Sequence, residues 1–396
     1  MAFERVQVEK GIRQVGPDRW EVQVHVGRDP LTGKLRQVSR TTRKGIADAR
    51  KLRAKLVTEV AQGKHGGTVA TLGSLLDEWL SHIECDGRSP KTLAEYRRKV
   101  DKVIRPALGA KRLDKLSAHD LDSFYGSQGA ADISPRTILH YHRILSAALS
   151  QAERWGWIER NVARIAKPPR VDRVDLNVPT PDGVRALIDH AAASKAPEMA
   201  TIITVAALTG LRRGELCGLR WSDIDWDGSA LIVRRSIWQA GIEWGAKPPM
   251  SHQVRRLVLD DVAMAVLVGR RARASEMAEV AEISLSGDAY VFSPDVDGTR
   301  PLLPNVVTQA FHRLCVQMSQ RAADGTPPAT IWNYRFHDLR HYTATELFRA
   351  GHNPRTVADR LGHADVALTL RVYTHDTEDQ ARAAAAALGA GLAASG

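Results

Sequence analysis

Cysteine is scarce in this sequence. Cys85, Cys217 and Cys315 are the only three in 396 residues, they lie far apart, and none belongs to a CxxC pair. That argues against a disulfide framework or a thiolate zinc site and for a reducing compartment. Long apolar runs are missing as well. No stretch of eighteen apolar residues occurs, and the opening MAFERVQVEK has no apolar centre of signal-peptide length. A soluble, cytoplasmic protein without a membrane partner is expected. There is no internal repeat, and lysine is absent after Lys247.

What the chain does have is apolar content and an unevenly spread positive charge. With 43% apolar residues over 396 positions, it is long enough for two or three domains with real cores. The net charge is +11, but residues 1–67 hold 15 Lys+Arg against 7 Asp+Glu, residues 68–170 hold 17 against 12, and residues 171–396 hold 24 against 26. The basic excess belongs to the first two segments, which suggests that they hold a polyanion while the remainder does something else.

The expected organisation is multidomain and mainly α, with small β-sheets. Residues 1–66 read as a three-stranded sheet followed by a helix. In RWEVQVHV, Trp20, Val22, Val24 and Val26 alternate with polar residues; DPLTGK (29–34) is a turn, LRQVSRTT a second strand, and the run near Ile12 a third. From Lys44 the period turns helical, with Leu52, Leu56, Val57 and Val60 on one face. Arg19, Gln23, Arg36 and Arg40 are candidates for contact with a major groove, which admits a β-ribbon; a merely solvated face would look the same.

Residues 67–170 read as at least four helices, marked by Ser89-Pro90, Ser134-Pro135 and the capping box Ser117-x-x-Asp120. A helix over 90–105 sets Lys91, Arg97, Arg98 and Lys102 around an apolar stripe, within reach of backbone phosphates or simply in water. Residues 171–181 are a linker. Residues 182–396 are mixed and mainly helical, with strands in SALIVRRSIW and VRRLVL, a loop at GIEWGAKPPMSH between them, and an alanine-rich tail.

Two stretches of this third part concentrate polar chemistry. RFHDLRHYTATELF (335–348) is helical in period, so His337 shares a face with Arg340 and with His341. A zinc helix with Asp338 where H-E-x-x-H has glutamate, a solvated helix face, and a clamp for phosphate all remain open on that stretch alone. ALTGLRRGELCGLRWSDID sets Arg212 and Glu215 three apart, which elsewhere is commonly a surface ion pair of well under ~1 kcal/mol.

TGLRRGEL, HDLRH, LGH and VYTH, in this order, resemble the tyrosine recombinase (phage integrase) family over roughly residues 180–378. The two basic segments are similar to the arm-type and core-type DNA-binding domains of integrases. The resemblance implies a site-specific recombinase that cuts and rejoins DNA through a 3′-phosphotyrosyl intermediate, without metal or other cofactor. It implies Tyr373 as nucleophile, Arg212, His337, Arg340 and His363 around the phosphate, and Lys247 as the proton donor of the β-hairpin, with Glu215 and His341 in support. KPPMSHQVRR is longer and richer in proline than the family's usual hairpin loop, and His337 or a basic residue of the following strand such as Arg255 is next in line as donor. Expected partners are double-stranded DNA with core-type and arm-type sites, a homotetramer on that DNA, a host DNA-bending protein and an excision factor.

The chemistry makes these residue types intelligible. A phenol of ordinary pKa about 10 needs its proton removed or its anion stabilised to attack near neutral pH. Two guanidiniums match the non-bridging oxygens, an imidazole accepts a proton, and an ammonium protonates the departing 5′ oxygen. A zinc site leaves Arg212 and Tyr373 without a role. A DNA-binding regulator with a degenerate catalytic domain and topoisomerase-like chemistry without strand exchange are the rivals to a recombinase.

Overall fold

The computed structural model of the chain describes residues 5–28, 35–61, 70–172, 177–249, 254–323 and 332–362, together with Arg382 and Ala386. Contacts divide it into two units, residues 1–173 and 174–396. The 29–34 turn, His363, Tyr373 and nearly all of the alanine-rich tail lie outside the described residues.

Strands β1 (Val6–Glu9), β2 (Ile12–Gly16), β3 (Arg19–Arg28) and β4 (Leu35–Thr42) form one antiparallel sheet in chain order, and α1 (Ile46–Ala61) packs on it. Because side chains alternate across a strand, only one face carries Ile12, Trp20, Val22, Val24 and Val38, which meet Ala49, Leu52 and Leu56 of the helix. The three expected strands are present, joined by a fourth. Strand β1 leaves Val6 and Val8 exposed, so it shows no burial periodicity; pairing of Val6 with Gln14 and an ion pair between Glu9 and Arg50 attach it. Val57, expected on the buried face of α1, is exposed, and Ala49 takes that face instead. The spacing 49, 52, 56 is the true helical stripe.

The helical module contains α2 (Leu72–Cys85), α3 (Pro90–Lys99), a π-helical turn (Val100–Ile104), α4 (Arg105–Leu108), α5 (Ala118–Ala130) and α6 (Pro135–Arg154). The helix expected over 90–105 is therefore not a uniform α-helix. Pro106 has no N–H to give to the carbonyl four residues back, and the turn before it widens. At α5 the capping box is complete: Ser117 N donates to Asp120 at 3.0 Å and Asp120 N to Ser117 Oγ at 3.3 Å. Ser134 caps α6 likewise, whereas Ser89 makes no side-chain cap to α3.

The second unit is built around α8 (Glu198–Thr209), which is apolar on nearly every side and buried, as a helix at the centre of a core must be. Helix α7 (Pro181–Ala192) precedes it and α9 (Arg213–Cys217) follows. Strands β5 (Ile224–Asp225), β6 (Ala230–Val233), β7 (Ser236–Ala240), β8 (Glu243–Lys247) and β9 (Arg255–Val258) come next. They form a sheet ordered β5-β6-β9 and a separate β7-β8 hairpin. Then α10 (Asp261–Val280), α11 (Pro304–Ala323), α12 (Asp338–Arg349) and α13 (Pro354–Leu361) complete the described elements. The expected loop at 241–252 is corrected in part. Its first half is β8, which pairs with β7 from Ala240–Glu243 to Ser236–Lys247 about a turn at Gly241, whose φ is +64°.

Candidate active site

Helix α8 ends at Gly210, whose left-handed backbone (φ +64°) turns its carbonyl toward α12, where Arg340 Nη1 donates to it at 2.7 Å. Arg340 is 3% exposed. Two residues after Gly210, Arg212 stands at the N-terminus of α9. Its backbone N donates to Glu215 Oε2 at 3.0 Å, its Nη1 to Glu215 Oε1 at 3.0 Å, and its Nη2 to the Gly362 carbonyl at 2.9 Å. Gly362 ends α13, again left-handed at φ +68°. Three segments far apart in sequence are thus joined by a chain of hydrogen bonds: TGLRRGEL, HDLRH and the glycine of LGH.

Two side chains that sequence reasoning passed over fix this crossing. Thr343 Oγ1 donates to the Ala207 carbonyl at 2.7 Å, binding α12 to α8. Arg360 donates to the carbonyls of Val258 and Leu208, each at 3.1 Å, binding α13 to β9 and α8. A lone Thr or Arg on a helix gives no local signal of such a role.

Glu215 is not half of a surface pair. Its side chain is 0% exposed, and Arg255 forks onto it with bonds of 3.2 and 2.7 Å while Arg212 holds it from the other side. Burial pushes its carboxyl pKa up, but the bonds and charge of Arg255, then the charge of Arg212, pull it below the ordinary value. Glu215 is therefore ionised, and one carboxylate faces two guanidiniums. The cluster keeps a surplus of about one positive charge for an anion.

His337 sits at the N-cap of α12, its ring 5.1 Å from that of His341 in an edge-on arrangement. Partial burial lowers its pKa to about 4, helped by His341, Arg340 and Arg212 and opposed by Asp338. The residue nevertheless keeps an exposed surface. With its pKa lowered, His337 is neutral at pH 7. His341 is lowered too, chiefly by burial. Asp338 is buried and accepts from Arg335 N at 2.7 Å and Arg335 Nη2 at 3.0 Å. It thus serves the start of the helix. Among the described residues no three His, Cys, Asp or Glu are grouped to hold a metal.

Lys247 is the last residue of β8, half-buried and paired with Ser236, so it belongs to a strand and not to a free loop. Its neighbour strand β7 packs against α9. A side chain at Gly214 would come within 2.5 Å of Ser236 Oγ and 2.6 Å of the Ile237 carbonyl. The hairpin is therefore pressed onto the helix that Arg212 begins.

In the N-terminal sheet, register separates the candidates. Gln23 pairs with Ser39 and shares the face away from α1 with Arg13, Glu21 and His25; Arg19 is exposed at the start of β3. Arg40 pairs with Val22, and Val22 faces α1, so Arg40 lies on the helix side at the exposed edge strand. Arg36 pairs with Gly27. The side of Arg40 was legible from Val38 two positions before it, since residues two apart on a strand share a face. In the helical module Lys91, Arg98 and Lys102 are exposed, and Arg97 pairs with Glu84. An exposed pair of ~0.2–1 kcal/mol yields readily to a phosphate.

The phage integrase family model matches residues 178–380. The tyrosine recombinase XerC-like protein of Caldanaerobacter subterraneus subsp. tengcongensis is 25% identical over 386 residues, covering 91% of this chain and 93% of its own. The Tn1549 transposon integrase, solved in complex with transposon right end DNA, superposes with a TM-score of 0.66 at 22% identity, over 81% of this chain and 99% of that one. A lambda integrase, solved as a tetramer bound to a Holliday junction, gives 0.56 at 22% identity over 93% and 96% of the two chains.

Proposed function

The chain belongs to the phage integrase family, and from that membership we propose that it cuts and rejoins DNA at specific sites through a 3′-phosphotyrosyl bond to Tyr373. The observation that carries this reading is the joining of Arg340 to Gly210 and of Arg212 to Gly362, which brings two guanidiniums and His337 to one place. Arg212 and Arg340 bind the non-bridging oxygens and offset charge on the pentacoordinate phosphorus. Neutral His337 accepts the phenolic proton, and His363 donates to the phosphate. Lys247 protonates the departing 5′ oxygen, and Arg255, tied to Glu215 by both terminal nitrogens, is the poorer candidate for that step. The phosphotyrosyl bond stores the energy of the cleaved one, so a second 5′ hydroxyl reverses the reaction on another strand.

In this reading residues 1–66 take arm-type sites, residues 67–170 take core-type sites, and residues 182–396 perform the chemistry as a tetramer on two duplexes. The protein acts in the cytoplasm of a bacterial host, integrating a phage or other mobile element, with a DNA-bending protein and an excision factor as helpers. Among the described residues no helix is long and apolar enough to cross a membrane.

The test is a denaturing-gel assay for a covalent adduct between the full-length protein and nicked DNA from the element's ends. An adduct is expected in EDTA as in magnesium. Tyr373→Phe should bind the DNA and form none, and an adduct from that variant would overturn the assignment.

A further inference from the structure

Arg255 lies outside the set of residues proposed to touch the phosphate, yet its guanidinium meets both groups that hold Arg212. Its Nη1 and Nη2 donate to the two oxygens of Glu215 at 3.2 and 2.7 Å, and Glu215 accepts from Arg212 at both backbone and side chain. On the other side it presses against Gly362, where an added Cβ would fall 2.8 Å from Arg255 Nη1 and 3.0 Å from Nε. The carbonyl of that same glycine takes Arg212 Nη2 at 2.9 Å. The Arg255 side chain is 10% exposed, and its backbone is fixed by pairing with Val233 in β6.

We propose that Arg255 is a positioning residue for DNA cleavage, aligning Arg212 with the scissile phosphate through Glu215 and Gly362. The inference rests on the recombinase reading. Direct proton donation by Arg255 does not fit, because both terminal nitrogens are committed to a carboxylate and a guanidinium does not give up a proton in this pH range. Stability alone is a weak reason for the cluster, since the desolvation of buried charges offsets most of their attraction. What a forked, two-point contact supplies is orientation. A carboxylate held by one guanidinium at fixed geometry presents its remaining acceptor positions to the second in one way.

The test uses the full-length protein in single-turnover adduct formation on two nicked substrates. One carries an ordinary scissile phosphate and the other a methylphosphonate, which removes the negative charge Arg212 is proposed to hold. Arg255→Lys keeps the positive charge but loses the fork. It should form adduct roughly 10- to 100-fold more slowly on the phosphate, the range expected of a misplaced catalytic group, with DNA affinity nearly unchanged. The loss should shrink on the methylphosphonate in the same proportion as that of Arg212→Ala, and the double variant should be no slower than Arg212→Ala alone. Arg256→Met, on the same strand but paired with Asp225 at the surface, should match the wild type.

Equal losses for Arg255→Lys on both substrates, multiplying losses in the double variant, or a wild-type rate would each overturn the positioning role. A thermal melt of each variant separates slowed chemistry from a loosened fold, which slows both substrates alike. A wild type that forms no adduct on either substrate overturns the recombinase reading and this inference with it.

Discussion

Adding one methyl group at Gly210 tests the crossing of α8, α12 and α13 on which the site stands. Gly210 and Gly241 share a φ of +64°, so alanine pays the same left-handed backbone cost of ~1–2 kcal/mol at either position. In both, alanine recovers ~0.4–1 kcal/mol by restricting the unfolded chain. They differ in what surrounds the new methyl. At Gly241 nothing lies within 4 Å, whereas at Gly210 the Cβ would fall 2.5 Å from Leu361 Cδ2 and 3.2 Å from Thr343 Cγ2. Leu361 has no exposed surface and packs with Ala344 and Val357, so its methyl has little room to retreat. Overpacking of this kind costs a further ~1–3 kcal/mol. Gly241→Ala should therefore lose about 1 kcal/mol and Gly210→Ala about 2–4 kcal/mol. At ~2–4 °C per kcal/mol for a unit of this size, that is a fall of roughly 5–15 °C for Gly210→Ala and a few degrees for Gly241→Ala. Differential scanning calorimetry of the full chain should show the drop in the transition of residues 174–396, with the N-terminal unit unmoved. Equal falls for the two variants would mean that α13 is not seated on Gly210, and the proposed hold on Arg340 would lose its basis.

Three further outcomes are expected. His337 has its pKa lowered, so its neutral form persists as pH falls through the ordinary imidazole range; the acid limb of kcat/KM for cleavage should lie below pH 6.5 and be absent in His337→Gln, and a limb centred at or above 6.5 would contradict the assignment. Lys247→Ala should be slow on ordinary DNA and largely recover when the bridging 5′ oxygen is sulfur, because a thiolate leaves without a proton; Arg212→Ala should not recover, and a slow Lys247→Ala without sulfur rescue would leave the lysine as a support of the hairpin. Deleting residues 1–67, with 15 Lys+Arg and 7 Asp+Glu, should weaken binding to arm-type sites and flatten its salt dependence while core-site cleavage persists; an unchanged salt slope would refute the arm-domain role.

Local pattern determined much of this protein. The alternation of Trp20, Val22 and Val24 and the capping box at Ser117 depend on neighbours in the chain, and each is present where the period predicts it. The motifs TGLRRGEL and HDLRH likewise name their own residues. Tertiary structure alone decided what those residues meet. No window of sequence shows that Glu215 is sealed between Arg212 and Arg255, because Arg255 lies 40 positions away on a strand whose place is set by pairing with β6. Register settled that Gln23 and Arg40 face opposite ways, and long-range pairing turned half of an expected loop into β8. Periodicity reports which side of an element is apolar. Which carbonyl a buried guanidinium reaches is fixed only when helices from distant parts of the chain close on one core, and Gly210 and Gly362 supply those carbonyls here.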